Sequence, residues 1–373
     1  MGKRSLIRRL MKNNRCGNEG AGNIILADYD IPSDWAFRRI MQEVTGETWD
    51  VMISVANIYH RGINNVIRYI KYAWLPLRLL FSGVKYKKVI AWQQYFGFFL
   101  AAFCRLFRIY GITSIYIMEM IYKKKRGIIG KVQEGFIRYA LGARNLKGIF
   151  VYSKSEGKDY ATTFSMDKSM FYVIALGIED MYAEYEHCIE DNGVILAPGR
   201  SNRDYGFLIN AWDCNRKLTI VCDNMHPSIL KEIRDKSIIV KENCYNGSYL
   251  TELARCHMVV VPLDDSAISS GQLVILQSMM MGKPVVVTRN IPAKEYFSDE
   301  MAWLMIEKTK DELEDVMRKL DDEETYRITS GQERHHFIKN HTIEATARSV
   351  ASYIMRQNNT DKNVVRAGKC TTR

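Results

Sequence analysis

Short runs of β-branched and aliphatic residues recur along the chain. Each is followed by a longer stretch in which apolar positions return every three or four residues. The short runs predict strands buried on both faces and the longer stretches predict helices. In the first half, strands are predicted at Asn23–Ala27, Val51–Ala56, Lys88–Trp92, Ser114–Met118, Lys147–Tyr152 and Phe171–Ala175. Helices fall between them: Ala36–Val44 behind Asp34 as N-cap, Gly62–Phe81 with a break at Pro76, Tyr95–Tyr110, one after the basic loop Lys123–Arg126, and one from about Ser155. Strand alternating with helix at this spacing predicts an α/β fold with a parallel sheet and helices on both of its faces.

The acidic stretch Gly177–Gly193 lacks apolar periodicity, and there the series starts again. Strands are predicted at Val194–Ala197, Leu218–Cys222, Ile238–Lys241, Met258–Leu263, Val285–Thr288 and Ala302–Ile306. Helices are predicted at Tyr205–Trp212, Pro227–Arg234, Tyr249–Cys256, Leu273–Met281, Lys310–Leu320 and Ile343–Met355. The expected organisation is two tandem Rossmann-like, doubly wound domains facing a central cleft. Residues 1–178 form the first, with 1–22 a flexible basic lead-in, and 179–192 the linker. Residues 193–356 form the second, and 357–373 a polar, disordered tail.

One unit carries the clearest chemistry. In Met258–Thr288 a buried strand leads through a small, polar loop into a helix that is apolar nearly all round, and Gly282-Lys283-Pro284 stops that helix. Ser269, Ser270 and Gly271 sit at the helix start, where unpaired N–H groups and the positive end of the helix dipole favour an anion. Gln277 and Ser278 interrupt the apolar run. A buried amide needs a partner, so Gln277 either bonds a neighbouring loop or points along the helix to a ligand.

Charge changes the picture of the front half. The chain is 373 residues long with a formal net charge of +11, and residues 1–178 contribute +16 against −5 for the remainder. A basic front domain implies an anionic partner. Arg61, Arg68, Lys71, Arg78, Lys85, Lys87 and Lys88 share a region with Trp74, Leu75, Leu77, Leu79, Leu80 and Phe81. Such a helix suits either an anionic membrane surface or the ordinary role of packing on a sheet with a solvated basic face. Met1–Arg15 has a similar but weaker mixture. Eight Cys without a CxxC pair suggest reduced thiols, and the first 22 residues hold no apolar core of a signal peptide. The longest charge-free apolar stretch, Val89–Cys104, is 16 residues, too short to span a bilayer. Together these predict a cytoplasmic protein, peripheral on the inner face of the plasma membrane if the basic face is used.

With Gly199-Arg200 after its first strand and SSGQLVILQSMMMGKPVVVT at Ser269–Thr288, the back half resembles the donor domain of GT-B glycosyltransferases of the retaining family-4 type, the glycosyl transferases group 1 domain. Gly177-Ile178-Glu179-Asp180 is similar to the family's Gly-Val/Ile-Asp before the linker. The resemblance implies a GT-B fold and a nucleotide-diphosphate sugar held mostly by the back domain. It implies no cofactor and no required metal, because basic side chains and amides meet the diphosphate. Arg200 would take that role, with Gly199, Ser270, Gly271, Gln272 and Leu273 supplying backbone. The Lys that usually follows Gly-Arg is missing, and Arg203 is the basic candidate, otherwise a solvated surface arginine. The family's Glu-x7-Glu pair falls on Ser269 and Gln277; Gln277 retains the means to bond ribose hydroxyls, whereas Ser269 cannot copy a carboxylate. Asp264 or Asp265 could supply one from the same loop. Where the family often has a His after a front-domain strand, this chain has Glu119, which would contact the sugar or an acceptor hydroxyl, or pair with Lys123–Arg126. The implied activity is transfer of a sugar, with retention, to a saccharide or lipid-linked saccharide in cell-surface polysaccharide or glycolipid synthesis.

Two other classes share this pattern. A GT-B epimerase acting on nucleotide sugars would need acid/base groups in the cleft, and none of the seven His falls on a convincing loop. A non-catalytic nucleotide- or nucleic-acid-binding module would fit the basic front half, which carries no known RNA-binding motif.

Overall fold

The computed structural model describes residues 22–54, 63–82, 84, 86–109, 114–212, 216–233, 238–264, 270–291 and 293–370. The basic lead-in, Arg61, Lys85, Asp265 and Ser269 therefore lie outside the described residues. The chain divides into two compact units. One comprises residues 1–151 and 159–172, the other 152–158 and 173–373.

The front unit is a six-stranded parallel sheet in the order β2-β1-β3-β4-β5-β6. Its strands are β1 (Asn23–Ala27), β2 (Trp49–Ile53), β3 (Lys88–Ala91), β4 (Ser114–Ile117), β5 (Leu146–Val151) and β6 (Phe171–Val173). The central strands β1, β3 and β4 are buried throughout. Its helices are α1 (Ala36–Thr45), α2 (Ile63–Leu80), α3 (Gln94–Leu106), α4 (Gly127–Leu141) and α5 (Lys154–Phe164). The step from β1 to β2 runs one way along the sheet, and those through α2, α3 and α4 run the other. Right-handed crossovers therefore put α1 on one face and α2, α3 and α4 together on the other. There α2 packs on α3, and α3 on α4.

Helix α2 passes through Pro76 without the expected break. An internal proline costs about 3 kcal/mol. The buried stripe Tyr72, Leu75 and Leu79 outweighs it by holding both halves of the helix against the layer below. Leu75 and Leu79 thus belong to the core rather than to the basic surface. Lys88 also leaves that surface: it is buried at the start of β3, and its Nζ donates to Glu47 Oε1 at 2.6 Å.

The back unit is a second six-stranded parallel sheet, ordered β12-β11-β10-β7-β8-β9. It is built from β7 (Ile195–Pro198), β8 (Leu218–Val221), β9 (Ile238–Lys241), β10 (Met258–Val261), β11 (Val285–Thr288) and β12 (Met305–Ile306). Its helices are α6 (Tyr182–Tyr185), α7 (Tyr205–Ala211), α8 (Pro227–Ile233), α9 (Asn246–Arg255), α10 (Gln272–Met280), α11 (Lys310–Leu320), α12 (Glu323–Asn340) and α13 (Ile343–Cys370). The strand order reverses at β7 and β10, and ligands of such sheets collect beyond the carboxyl ends of the strands at that point.

Two expectations are corrected. The strand predicted at Ala302–Ile306 is mostly a 3₁₀ turn, with only Met305–Ile306 paired to β11. Helix α13 runs on past Met355 as far as Cys370. Helix α12 was not predicted, because its inward residues are Thr329, Glu333 and Phe337, spaced for one helical face but mostly polar. The start of this unit is tied to the same region. Gly177 lies where a Cβ would come within 2.4 Å of the Thr342 carbonyl oxygen. His341 Nδ1 donates to the Leu176 carbonyl at 3.0 Å, and Arg334 grips both carboxylate oxygens of Asp180 at 3.1 and 2.8 Å.

Candidate functional site

The loops following β7 and β10 are fastened to each other. Asp204 N–H donates to the Pro262 carbonyl at 2.7 Å, Asp264 N–H to the Asn202 carbonyl at 3.2 Å, and Asn202 Nδ2 to Ser270 Oγ at 2.7 Å. Lys308 closes the tie from outside, with Nζ 2.9 Å from Asp204 Oδ2 and 2.8 Å from the Asp264 carbonyl oxygen. The Asp264 carboxylate lies 3.6 Å from the same Nζ and does not line the cavity described below.

Gly199 and Arg203 set the shape of the first loop. Gly199 has φ +126°, a conformation for glycine, and a Cβ there would sit 2.6 Å from Arg203 Nη2. The Arg203 guanidinium lies against the bare glycine, its Nε donating to the Pro198 carbonyl at 3.2 Å and its Nη1 to the Ser201 carbonyl at 2.8 Å. Tyr205 completes the brace, its hydroxyl donating to the Gly199 carbonyl at 2.6 Å. Arg203 is therefore neither a solvated arginine nor a lining group. Burial lowers its pKa, and it acts as an internal strut.

Beside this strut lies a cavity of about 490 Å³, of a size and mixed lining suited to a small ligand. One wall is Gly199 and Arg200. A second is Leu273, Val274 and Gln277 from α10, and a third is Tyr245 and Tyr249. Four of the residues singled out from sequence, Gly199, Arg200, Leu273 and Gln277, thus meet at one place. Gln277 lines this cavity, and its side chain makes no hydrogen bond to another described residue.

Gly271 starts α10 with φ +79° and offers no side-chain cap. The N–H groups of Leu273 and Val274 in the first turn precede the first intrahelical bond, Ile275 N–H to the Gly271 carbonyl at 2.9 Å. Ser270 uses its hydroxyl to accept from Asn202, which fixes the entry to the helix.

The far wall holds groups that the sequence did not single out. Asp223, just past β8, accepts the Tyr245 hydroxyl and the Asn243 N–H, the latter at 2.8 Å. These bonds, with a smaller contribution from Arg200, hold its carboxyl below the usual range. Burial raises the Cys222 thiol, and Arg200 opposes that rise. Asp223 could have been found from its place at the carboxyl end of a predicted strand.

Glu119 belongs to the front unit. It follows β4, is half-buried and is engaged by neighbours. At the switch point of that sheet stands Asp28, one residue past β1, which the sequence reading passed over. The Tyr72 hydroxyl donates to it at 3.4 Å. Burial raises its pKa, and the nearby Arg68 guanidinium partly offsets that. Among the described residues no cluster of three His, Cys, Asp or Glu side chains is arranged to hold a metal ion.

Comparison with known proteins bears on this geometry. Residues 193–322 match the family model Glycosyl transferases group 1, which spans the loops after β7 and β10 and helix α10. No curated protein matches by sequence. Among solved structures, a glycosyltransferase from Rickettsia africae ESF-5 is similar with a TM-score of 0.59 and 13% identity, over 91% of this chain and 99% of that one. Sucrose-phosphate synthase from Thermosynechococcus elongatus gives 0.62 and 14%, over 91% and 100%. Anabaena HepE in complex with UDP and glucose gives 0.57 and 11%, over 90% and 99%. The fold is GT-B, and residues 193–322 of the back unit match the glycosyl transferases group 1 model.

Proposed function

We propose that the protein is a glycosyltransferase that moves a sugar from a nucleoside-diphosphate sugar to a saccharide or lipid-linked saccharide, with retention of anomeric configuration. We assign it to cell-surface polysaccharide or glycolipid synthesis on the cytoplasmic side of the membrane. One observation carries the reading: Arg200, Gln277 and the first turn of α10 at Leu273 and Val274 line one cavity at the switch point of the back sheet.

In this reading the diphosphate meets the Arg200 guanidinium and the first-turn amides of α10, without a required metal. As the bond from the anomeric carbon to the leaving phosphate oxygen breaks, negative charge grows on the diphosphate, and these fixed donors stabilise it. The new bond to the acceptor oxygen forms on the same face, and the acceptor proton passes to the leaving phosphate oxygen. No protein nucleophile is needed. Gln277 bonds ribose hydroxyls, and Tyr245 and Tyr249 offer faces to the base. On the front unit, Glu119 is the carboxylate assigned to an acceptor hydroxyl, with Asp28 a second available to it. The cavity and the UDP complex of a protein of the same fold support this reading.

The test is turnover. Full-length protein is incubated with UDP-, GDP- and ADP-sugars, with and without saccharide and lipid-linked acceptors, and the products are read by mass and by the anomeric coupling in proton NMR. Acceptor-dependent release of nucleoside diphosphate with a retained anomer is expected, and Arg200→Ala should slow it by about 10²–10³-fold. Acceptor-independent conversion of one nucleotide sugar into another would make the protein an epimerase instead.

A further inference from the structure

The outer face of the front unit is built differently from the rest of the surface. Among the described residues, twelve of the twenty-one large hydrophobic side chains that are exposed lie between Ile67 and Tyr139, in α2, α3, α4 and their flanking loops. Scattered single apolar residues need no explanation, but a concentration of this kind does.

The side chains are ordered in space. On α2, Ile67, Ile70 and Trp74 follow a helical period along the outward side, with Phe81 just past its end; Trp74 is 63% and Phe81 71% exposed. From Phe81 a continuous row of rings crosses the layer: Phe107 at 6.3 Å, then Phe103 at 6.1 Å, Phe99 at 6.0 Å and Phe136 of α4 at 4.8 Å. The first turn of α4 then presents Ile128, Ile129 and Val132, with Ile128 81% exposed. Three helices of one layer therefore share an apolar outer surface.

The charge in this part of the chain is strongly basic. Residues 63–138 contain 14 Lys and Arg, of which Lys88 is buried against Glu47, and only two acids, Glu119 and Glu134. Lys123, Lys124, Lys125 and Arg126 are all exposed and lead directly into the Ile128–Ile129 turn. We propose that this face docks on an anionic phospholipid bilayer, with α2 lying in the interface plane and the Lys123–Arg126 loop on the headgroups. Apolar insertion and a polybasic patch are the two signals that stable peripheral binding needs, and an exposed tryptophan suits the headgroup boundary. A protein partner would have to be strongly acidic around an apolar centre, whereas an anionic bilayer offers both features over its whole area. The inference does not rest on the proposed catalytic activity, and its test does not use it.

The experiment is flotation of the full chain with vesicles of phosphatidylcholine alone or with 30 mol% phosphatidylglycerol, at 0.1 and 0.5 M NaCl. Binding is expected only with the anionic lipid and should weaken at high salt. Each basic residue near such a surface contributes roughly a fivefold change in partition, so Lys123→Glu/Lys124→Glu/Lys125→Glu should lower binding by at least about a hundredfold. Ile70→Glu/Trp74→Glu and Ile128→Glu/Ile129→Glu should abolish it at either salt, with the melting temperature unchanged because these side chains are exposed. Absence of binding to both vesicles, equal binding to both, or wild-type binding by the variants overturns the proposal. So does a dimer in solution that Ile70→Glu/Trp74→Glu splits, which would give the face to a second copy of the chain.

Discussion

Replacing Gly199 by alanine tests whether the loop after β7 is braced by Arg203. The added Cβ would stand 2.6 Å from Nη2 and 2.7 Å from Nε, so the guanidinium must move away. It then gives up its hydrogen bonds to the Pro198 and Ser201 carbonyls. Charge-assisted bonds are worth about 1.5–3 kcal/mol each, so losing both costs about 3 kcal/mol at the low end. Alanine at φ +126° adds about 1–2 kcal/mol. Gly199→Ala should therefore destabilise by about 4 kcal/mol. With Arg203→Ala already present the clash and the bonds are gone, and only the conformational cost of about 1–2 kcal/mol remains. A double-mutant cycle by urea unfolding should show a coupling of about 3 kcal/mol. A cost below 1 kcal/mol for Gly199→Ala, or additivity within about 0.5 kcal/mol, would refute the brace.

Burial pushes the His341 imidazole down to about 4 from 6.5, more than its bond to the Leu176 carbonyl offsets. Its folded pKa is depressed, so the unfolded chain takes up the proton first; the stability is complete above pH 6.5 and about 3 kcal/mol of it is lost as pH falls through 4. His341→Gln should flatten that part of a stability–pH curve measured by urea titration. Burial raises the carboxyl of Glu333, whose Oε1 accepts Val285 N–H at 3.1 Å while Oε2 has no partner among the described residues. Its folded pKa is raised, so its contribution is present below the unfolded value of about 4.5 and declines as pH rises. Glu333→Gln should thus gain in stability relative to wild type between pH 5 and 8, and a constant difference across that range would contradict it. Gly177→Ala forces a Cβ against backbone at Thr342 and should cost about 1–3 kcal/mol, read as a lowered melting temperature. Gln277→Leu should weaken nucleoside-diphosphate binding by about five- to tenfold in calorimetry, the worth of one hydrogen bond, and leave the melting temperature of the free protein in place.

The two sheets were legible because parallel strands buried on both faces announce themselves as unbroken aliphatic runs, as in Met258–Val261 and Val285–Val287. Helix α12 was hidden because a helix whose inward face is Thr329, Glu333 and Phe337 has no apolar stripe to read. Pro76 misled because local propensity was outweighed by the packing of Leu75 and Leu79, which sequence alone does not weigh. At the cavity, Gln277 could be found because it interrupts the apolar run of α10, whereas Gly199 and Arg200 were found through the resemblance to a family. Arg203 could not be told from a ligand group, because its bonds go to main-chain carbonyls, and those exist only once the loop is folded. Asp223 and Tyr245 lie 22 residues apart and become a pair only when the loops after β8 and β9 meet.

The central claim is that the back-unit cavity binds a nucleoside diphosphate through Arg200. Thermal unfolding of wild type and Arg200→Ala with UDP, GDP and ADP tests it most directly. A ligand at 100 times its dissociation constant should stabilise the protein by about 2.7 kcal/mol. The account predicts that at least one of the three raises the melting temperature of wild type and that Arg200→Ala loses most of that rise, while the two free proteins melt alike. No rise with any nucleotide, or an equal rise in the variant, would contradict it.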